Sequence, residues 1–400
     1  MLYLGIDQHR KQLTVNLRDE AGDVVLRRQV STRWIAVRSF FEDLKRRAEP
    51  AGGYLAIVEV CGFNHWLLAL LQERGCRQVI LVQADQRRKQ KTDRRDANQL
   101  CELLWVNRQR LQEGKKVQQL RVVQPASPAD EQARQATALM WRVSQKQTRT
   151  LNGIHHLLLK HNLHQECPTK GLQTRRARQW LTQLALPAID RLEMDQLLEQ
   201  WDLWKRQRET LRAEVERQQQ ARVDALLVAT IPGAGAFSSL GLACRVGDLA
   251  RFDNADSLAN YWGLTPGCRN SGESQQRLGS ITKQGSALAR FILAQLVLHV
   301  LRRDGAMRRH YQRIKMRRGS KIARVAVMRR LATILWHMLK HDQPYRLSAA
   351  PPGRRQDDPR CACATEPMDP RVAASSAKTS APTRQKGAAP STVIVATAPG

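Results

Sequence analysis

Four hundred residues allow two or three domains and a sizeable core, and they carry 66 lysines and arginines against 36 aspartates and glutamates, a formal charge of +30. That surplus favours a polyanionic partner, most simply nucleic acid; no apolar run approaches the roughly 20 residues of a membrane span, and the opening MLYLGIDQHRK lacks the plan of a signal peptide. The eight cysteines include no CxxC pair, so zinc is not expected, a reduced cytoplasmic setting is, and the site chemistry must rest on carboxylates or hydroxyls.

Taken in chain order, LYLGID (2–7) reads as a short buried strand ending in an aspartate. LTVNLRD and VVLRRQV flank the turn DEAGD and predict a hairpin. Residues 33–48 carry Trp34, Val37, Phe40, Phe41 and Leu44 at helical spacing. GYLAIVEVCG (53–62) is a second buried strand, HWLLALLQERG (65–75) a helix stopped by Gly75, and QVILVQ (78–83) a further strand. A basic helix then begins in RRKQKTDRRDANQLCELLW (87–105). This order predicts an α/β domain over residues 1–110, a mixed sheet flanked by helices.

Pro125 and Pro128 precede a nearly all-helical stretch, 125–222, with helices expected at roughly 130–165 and 174–220. Leu197, Trp201, Trp204, Arg208, Leu211 and Val215 step by four and three, a coiled-coil-like seam interrupted at Arg208. Such helices pair as a hairpin or across subunits. Residues 223–346 form a third, mostly helical unit. The tail from 347 to 400 has no aromatic residue and is rich in Ala, Pro, Ser and Thr, so disorder is expected there.

The chemistry gathers on four carboxylates. Asp7 ends the first strand and Glu59 lies near the end of the second, where a charge is costly unless paired or ligated. Asp93 and Asp96 stand one helical turn apart and share a face. If that helix crosses the strand ends, the four converge. Such a cluster in a basic protein would repel itself and a phosphate, and Mg²⁺ resolves both problems through hard oxygen ligands. Arg87, Arg88, Lys89, Lys91, Arg94 and Arg95 would then guide a nucleic-acid backbone. Alone, each piece means little. A strand-terminal GID also opens the phosphate hairpin of actin-like ATPases, and a D-x-x-D pair is usually surface decoration.

The GID, VEVCG and KTDRRDA stretches resemble the Asp-Glu-Asp-Asp (DEDD) transposases of the one-ten and eleven-eleven insertion-sequence groups. The resemblance continues at 226–295, through LLVATIPGAGAFSSLGLACRVGDLARF and LANYWGLTPGCRNSGESQQRLGSITKQGSALARFIL, which are similar to that family's carboxy-terminal transposase domain. It implies an RNase H-like (RuvC-like) fold for the amino-terminal domain. It also implies a bacterial enzyme acting at the nucleoid that cuts and rejoins donor and target DNA, guided by a noncoding RNA of the element. The implied assembly is a homo-oligomer, dimer or tetramer, with composite sites. Ser271, in RNSGES, matches the family's catalytic serine, the nucleophile that joins covalently to DNA. Serine needs activation, and Lys283, Arg277 or the metal site could supply it.

Read from residues alone, IPGAGAFSSLGLA has the form of a helix-hairpin-helix, in which Gly233 and Gly235 permit a tight turn and the next helix offers amides to phosphate. An ordinary Pro-Gly turn between helices reads equally well. Residues 302–330 hold twelve basic side chains, Arg308, Arg309, Arg317 and Arg318 among them, against Asp304 alone, which favours phosphate contact. His155, His156, His161 and His164 lack partners at ligand spacing and are read as structural or facing nucleic acid. Two other readings remain open at this level: a RuvC-like junction nuclease using metal-activated water, and a non-enzymatic helix-hairpin-helix DNA binder.

Overall fold

The computed structural model describes residues 1–83, 93–115, 117, 120–269 and 277–347, without the side chains of 93–95, 268, 269, 277 and 278. Residues Met1–Leu347 form one compact unit. Among the described residues, no helix is long and apolar enough to cross a membrane.

The amino-terminal part is a six-stranded mixed sheet. Strands β1 (Leu2–Gln8), β2 (Gln12–Arg18) and β3 (Val24–Ser31) form an antiparallel meander around DEAGD. Helix α1 (Trp34–Ala48) returns the chain so that β4 (Tyr54–Glu59) pairs parallel with β1. Helix α2 (His65–Glu73) then leads to β5 (Cys76–Val82), parallel to β4, and β6 (Val122–Val123) closes the far edge. The strand order is β3-β2-β1-β4-β5-β6.

Strand β1 is central, and every one of its residues is buried. Alternation sends its side chains to two cores. Leu4 and Ile6 join Leu13, Val15, Leu17 and Val58 beneath α1 and α2. On the opposite face, Tyr3 joins Leu55, Ile57, Ile80 and Val82 under Leu104 of α3 (Asp93–Val106). Emptying such a site by an Ile57→Ala change costs about 2–5 kcal/mol. Short helix α4 (Arg108–Gln112) adds Leu111 to the second core.

Helix α5 (Pro128–Lys160) starts where the proline pair predicts, with Pro128 in its first turn and the Ser127 hydroxyl accepting from the Asp130 amide at 3.1 Å. The second expected helix is two: α6 (Arg175–Gln183) and α7 (Ala188–Gln220). Pro187 occupies the N-cap of α7, which separates them. Helices α5 and α7 pair within the chain. Ile154, Leu157 and Leu158 meet Met194, Leu198 and Trp201, while at the seam's interruption Arg208 donates to Gln147 of α5 at 2.9 Å. At the other end, Lys160 and His161 reach Asp190 at 2.7 Å each.

The carboxy-terminal core collects α8 (Val223–Ala229), α9 (Ala236–Val246), α10 (Ala255–Tyr261), α11 (Ala287–Arg303) and α12 (Gly305–His341). Ala133 and Thr137 of α5 dock here as well, so that helix spans two cores: Arg245, buried, donates to the Thr137 hydroxyl at 3.0 Å. A two-stranded antiparallel ribbon, β7 (Pro266–Arg269) and β8 (Arg277–Ile281), interrupts the helices.

Candidate active site

Asp7 and Glu59 are set by the sheet. The parallel register pairs Ile6 with Val58, so Asp7 and Glu59 are the next positions on two neighbouring strands, whose axes run about 4.8 Å apart. Both continue the series that faces α3: Tyr3 and Gly5 on one strand, Leu55 and Ile57 on the other. Asp7 is buried, and His9 Nε2 hydrogen-bonds to its Oδ2 at 3.0 Å. The Cys61 thiol is pushed up, chiefly by burial and further by the negative charges of Glu59 and Asp7.

Helix α3 crosses this same face antiparallel to β1. Its later residues sit over the start of the strand, where the Cys101 thiol donates to the Tyr3 carbonyl at 3.2 Å. Burial drives that thiol up to about 11. At Gly5 the helix backbone lies against the strand: a Cβ there would stand 2.5 Å from the Ala97 oxygen and from the Cys101 nitrogen. Polar clamps fix the orientation. Asn16 and Arg18 of β2 donate to Asn98 Oδ1 at 3.1 and 3.2 Å, and Arg18 pairs with Glu102 at 3.5 Å. The first turn of α3, with Asp93 and Asp96, therefore extends toward the strand end that carries Asp7.

The backbone thus brings Asp7, Glu59 and that first turn to one end of one face. Among the described residues, no three His, Cys, Asp or Glu side chains stand close enough together to hold a metal ion. Asp7, Glu59 and Asp96 by themselves do not close into such a cluster, and the side chain of Asp93 lies outside the described residues. The donor set suits a hard cation, since all four are carboxylates and one is buried at a strand end. Arg87, Arg88, Lys89 and Lys91 lie outside the described residues, as do the side chains of Arg94 and Arg95.

A polar brace supports the strand ends that sequence reading missed. The Asn64 amide nitrogen donates to Gln8 Oε1 at 2.8 Å and to the Glu59 carbonyl at 3.1 Å, and its oxygen accepts from the Cys61 amide. Gln8 in turn donates to the Phe63 carbonyl at 3.2 Å. These bonds tie the loop after β4 to the end of β1 and hold both carboxylate positions. The available signal was the run IDQH, three polar residues closing a buried strand.

In the carboxy-terminal core, Ser271 lies in the segment joining β7 to β8, outside the described residues, and the Arg277 side chain does too. The base of that ribbon is rigidly seated. A Cβ at Gly263 would meet the Gln284 oxygen at 2.1 Å, and one at Gly285 the Tyr261 oxygen at 2.0 Å. Arg290 Nη1 donates to the Trp262 carbonyl at 3.0 Å. Lys283, exposed at the end of β8, adopts a left-handed φ of 55°, and its amide donates to Gly263 at 3.2 Å. Gly233 (φ 86°) turns the chain between α8 and α9 where His299 leaves no room for a Cβ, and Gly235 caps α9. Arg309, Arg317 and Arg318 are exposed on α12, which breaks at Gly319 (φ 81°). Arg308 is partly used internally, donating to the Leu301 and Arg302 carbonyls at 2.8 and 2.6 Å.

Comparison with known proteins gives two family matches, in chain order and together covering more than half of the chain. A DEDD transposase model of the IS110 group matches residues 4–163, the span holding Asp7, Glu59, Asp93 and Asp96. A second, described as Transposase IS116/IS110/IS902 family, matches residues 225–312, the span holding Ser271. The chain is 29% identical over 367 residues to a probable family 20 transposase of Pseudomonas aeruginosa, covering 86% of this chain and 98% of that protein. It is 31% identical over 133 residues to the transposase for insertion sequence element IS1111A of Coxiella burnetii, 32% of this chain and 36% of the relative. A pilin gene-inverting protein of Moraxella bovis is 32% identical over 123 residues, 30% of this chain and 38% of the relative.

Proposed function

The chain belongs to the IS116/IS110/IS902 family of DEDD transposases and is a DNA transposase, and from that premise we propose that it cuts and rejoins DNA with a carboxylate tetrad and a serine nucleophile. Asp7, Glu59, Asp93 and Asp96 are the proposed metal ligands, on an RNase H-like (RuvC-like) domain spanning 1–110. The supporting observation is the register that sets Asp7 and Glu59 on adjacent strands under a helix held at Gly5. The tetrad would close between the strand ends and the first turn of α3, the rest of that helix being held by Asn98, Ala97 and Cys101. Mg²⁺, when bound, would supply positive charge to a scissile phosphate.

The chain's own groups do the remaining work. Ser271, in the 223–346 domain, attacks phosphorus as its hydroxyl proton leaves. A serine–phosphate ester forms, one strand P–O bond breaks, and the departing oxygen takes a proton. Attack by the hydroxyl of another strand end reverses the step and joins the two. Arg277, at the start of β8, and Lys283, just past its end, are the proposed partners for the serine. The exposed cations of α12 (Arg309, Arg317, Arg318, with Arg308) and the Gly233–Gly235 turn are proposed to hold phosphates of donor DNA, target DNA and a noncoding guide RNA. The protein is proposed to act as a homo-oligomer in the cytoplasm at the nucleoid. Denaturing electrophoresis of stalled reactions tests the reading: protein-linked DNA supports it, and free ends alone would reduce the protein to a metal-dependent nuclease.

A further inference from the structure

A cavity of about 250 Å³ is lined by Gln8, His9, Arg10, Thr32, Trp34, Phe63 and Trp66. Its walls come from the ends of β1 and β3 and the starts of α1 and α2. Three aromatic side chains at one opening are unusual in a chain that is only 5% aromatic. Two of them are wasted as core: Trp34 is 52% exposed and Phe63 46%. Trp34 and Trp66 meet edge to face, with centroids 5.5 Å apart, so Trp66, which packs against the hydrophobic core on its other side, braces the exposed Trp34 ring. The Arg38 guanidinium stands 5.3 Å over Trp34. Arg10, Lys11 and Arg33 are exposed around the same opening.

We infer that this cleft is a nucleobase subsite, in which the DNA strand being cut places one unstacked base against Trp34 and Trp66. Flat aromatic surface with a cationic rim is the chemistry that receives single-stranded nucleic acid, since every base has a π-face and every nucleotide a phosphate. The volume accommodates one heterocycle and not a base pair. Position selects the DNA strand over the guide RNA: His9 lines the cleft and bonds to Asp7 at 3.0 Å, so an occupant lies within a residue or two of the carboxylate that acts on the scissile phosphate. Holding a neighbouring base out of the stack fixes the strand's register and bends its backbone toward the carboxylates. The inference rests on Asp7 belonging to the cleavage site.

Photocrosslinking tests it with the full-length protein and an oligothymidine carrying one 5-iodouridine, followed by peptide mass spectrometry. The expected adducts lie on the peptides of Trp34, Phe63 or Trp66. Trp34→Ala should lower adduct yield and cleavage at least about fivefold, the loss of one base–aromatic stack, while Trp34→Phe restores most of both. The exposure of Trp34 makes either change tolerable to the fold. Asp7→Asn should keep the adduct and lose cleavage, which separates the subsite from the catalytic assignment. Adducts confined to other peptides, cleavage by Trp34→Ala equal to wild type, or displacement of the probe by oligouridine RNA but not by unlabelled oligothymidine, would each overturn the subsite and leave the transposase reading standing. Full cleavage by Asp7→Asn would instead remove the premise.

Discussion

At Asp7 a folding constraint meets a proposed chemical role. A buried carboxylate at the end of a central strand is tolerated because His9 bonds to it and because the Gln8–Asn64 brace fixes the strand end around it. Asn substitution at Asp7, Asp93 or Asp96, or Gln at Glu59, should abolish strand cleavage while leaving DNA binding within about twofold, as measured by filter binding; the cations that grip phosphate lie on other side chains. Gly5 bears the contact between α3 and β1. Adding a Cβ there drives it into helix backbone, not into a side chain that can swing away. Gly5→Ala is therefore expected to cost about 1–3 kcal/mol in chemical denaturation and to reduce cleavage by displacing the tetrad helix. Unchanged stability would show that α3 does not rest on β1.

At the level of elements, most of the sheet and its helices could be read in the sequence, because buried runs such as YLAIVE and the helical spacing of Val37, Phe40, Phe41 and Leu44 leave few alternatives. Two features escaped that reading for definite reasons. The β7–β8 ribbon is written as PGCR and RLGSI, short stretches without an apolar alternation, and tight backbone crossings at Gly263 and Gly285 seat its base. The α6–α7 break was hidden because the leucine spacing runs on past Pro187. Within the site, the carboxylates could be found along the chain, but the brace from Asn64 to Gln8 joins residues 56 apart and has no local signature. The α5–α7 hairpin offers its own test. Hydrogen bonds from Lys160, then from His161, hold the Asp190 carboxyl below its usual range. A lowered carboxylate stabilises above its unfolded pKa and loses that contribution as the pH falls through the folded value. Asp190→Asn should therefore lower the melting temperature at neutral pH, and the difference from wild type should shrink to nothing in acid. A difference that persists at low pH would assign the effect to packing.

For the whole molecule, a charge of +30 means that affinity for DNA should fall steeply with salt, and that chelating divalent metal should stop cleavage without releasing DNA. Residues Met1–Leu347 form a compact unit of their own, and the sequence beyond them contains no aromatic residue. Truncation after Leu347 should accordingly preserve recombination in a plasmid assay, and its loss would give the tail a function. The carboxylates of the amino-terminal sheet and the serine of the β7–β8 segment are proposed to serve one reaction. The most direct measurement is the yield of covalent protein–DNA adduct, on denaturing gels with labelled donor DNA and Mg²⁺, for wild type, Asp7→Asn and Ser271→Ala side by side. Adduct from wild type alone, lost on chelation, is the result expected; adduct formed by Ser271→Ala, or formed undiminished by Asp7→Asn, would contradict it.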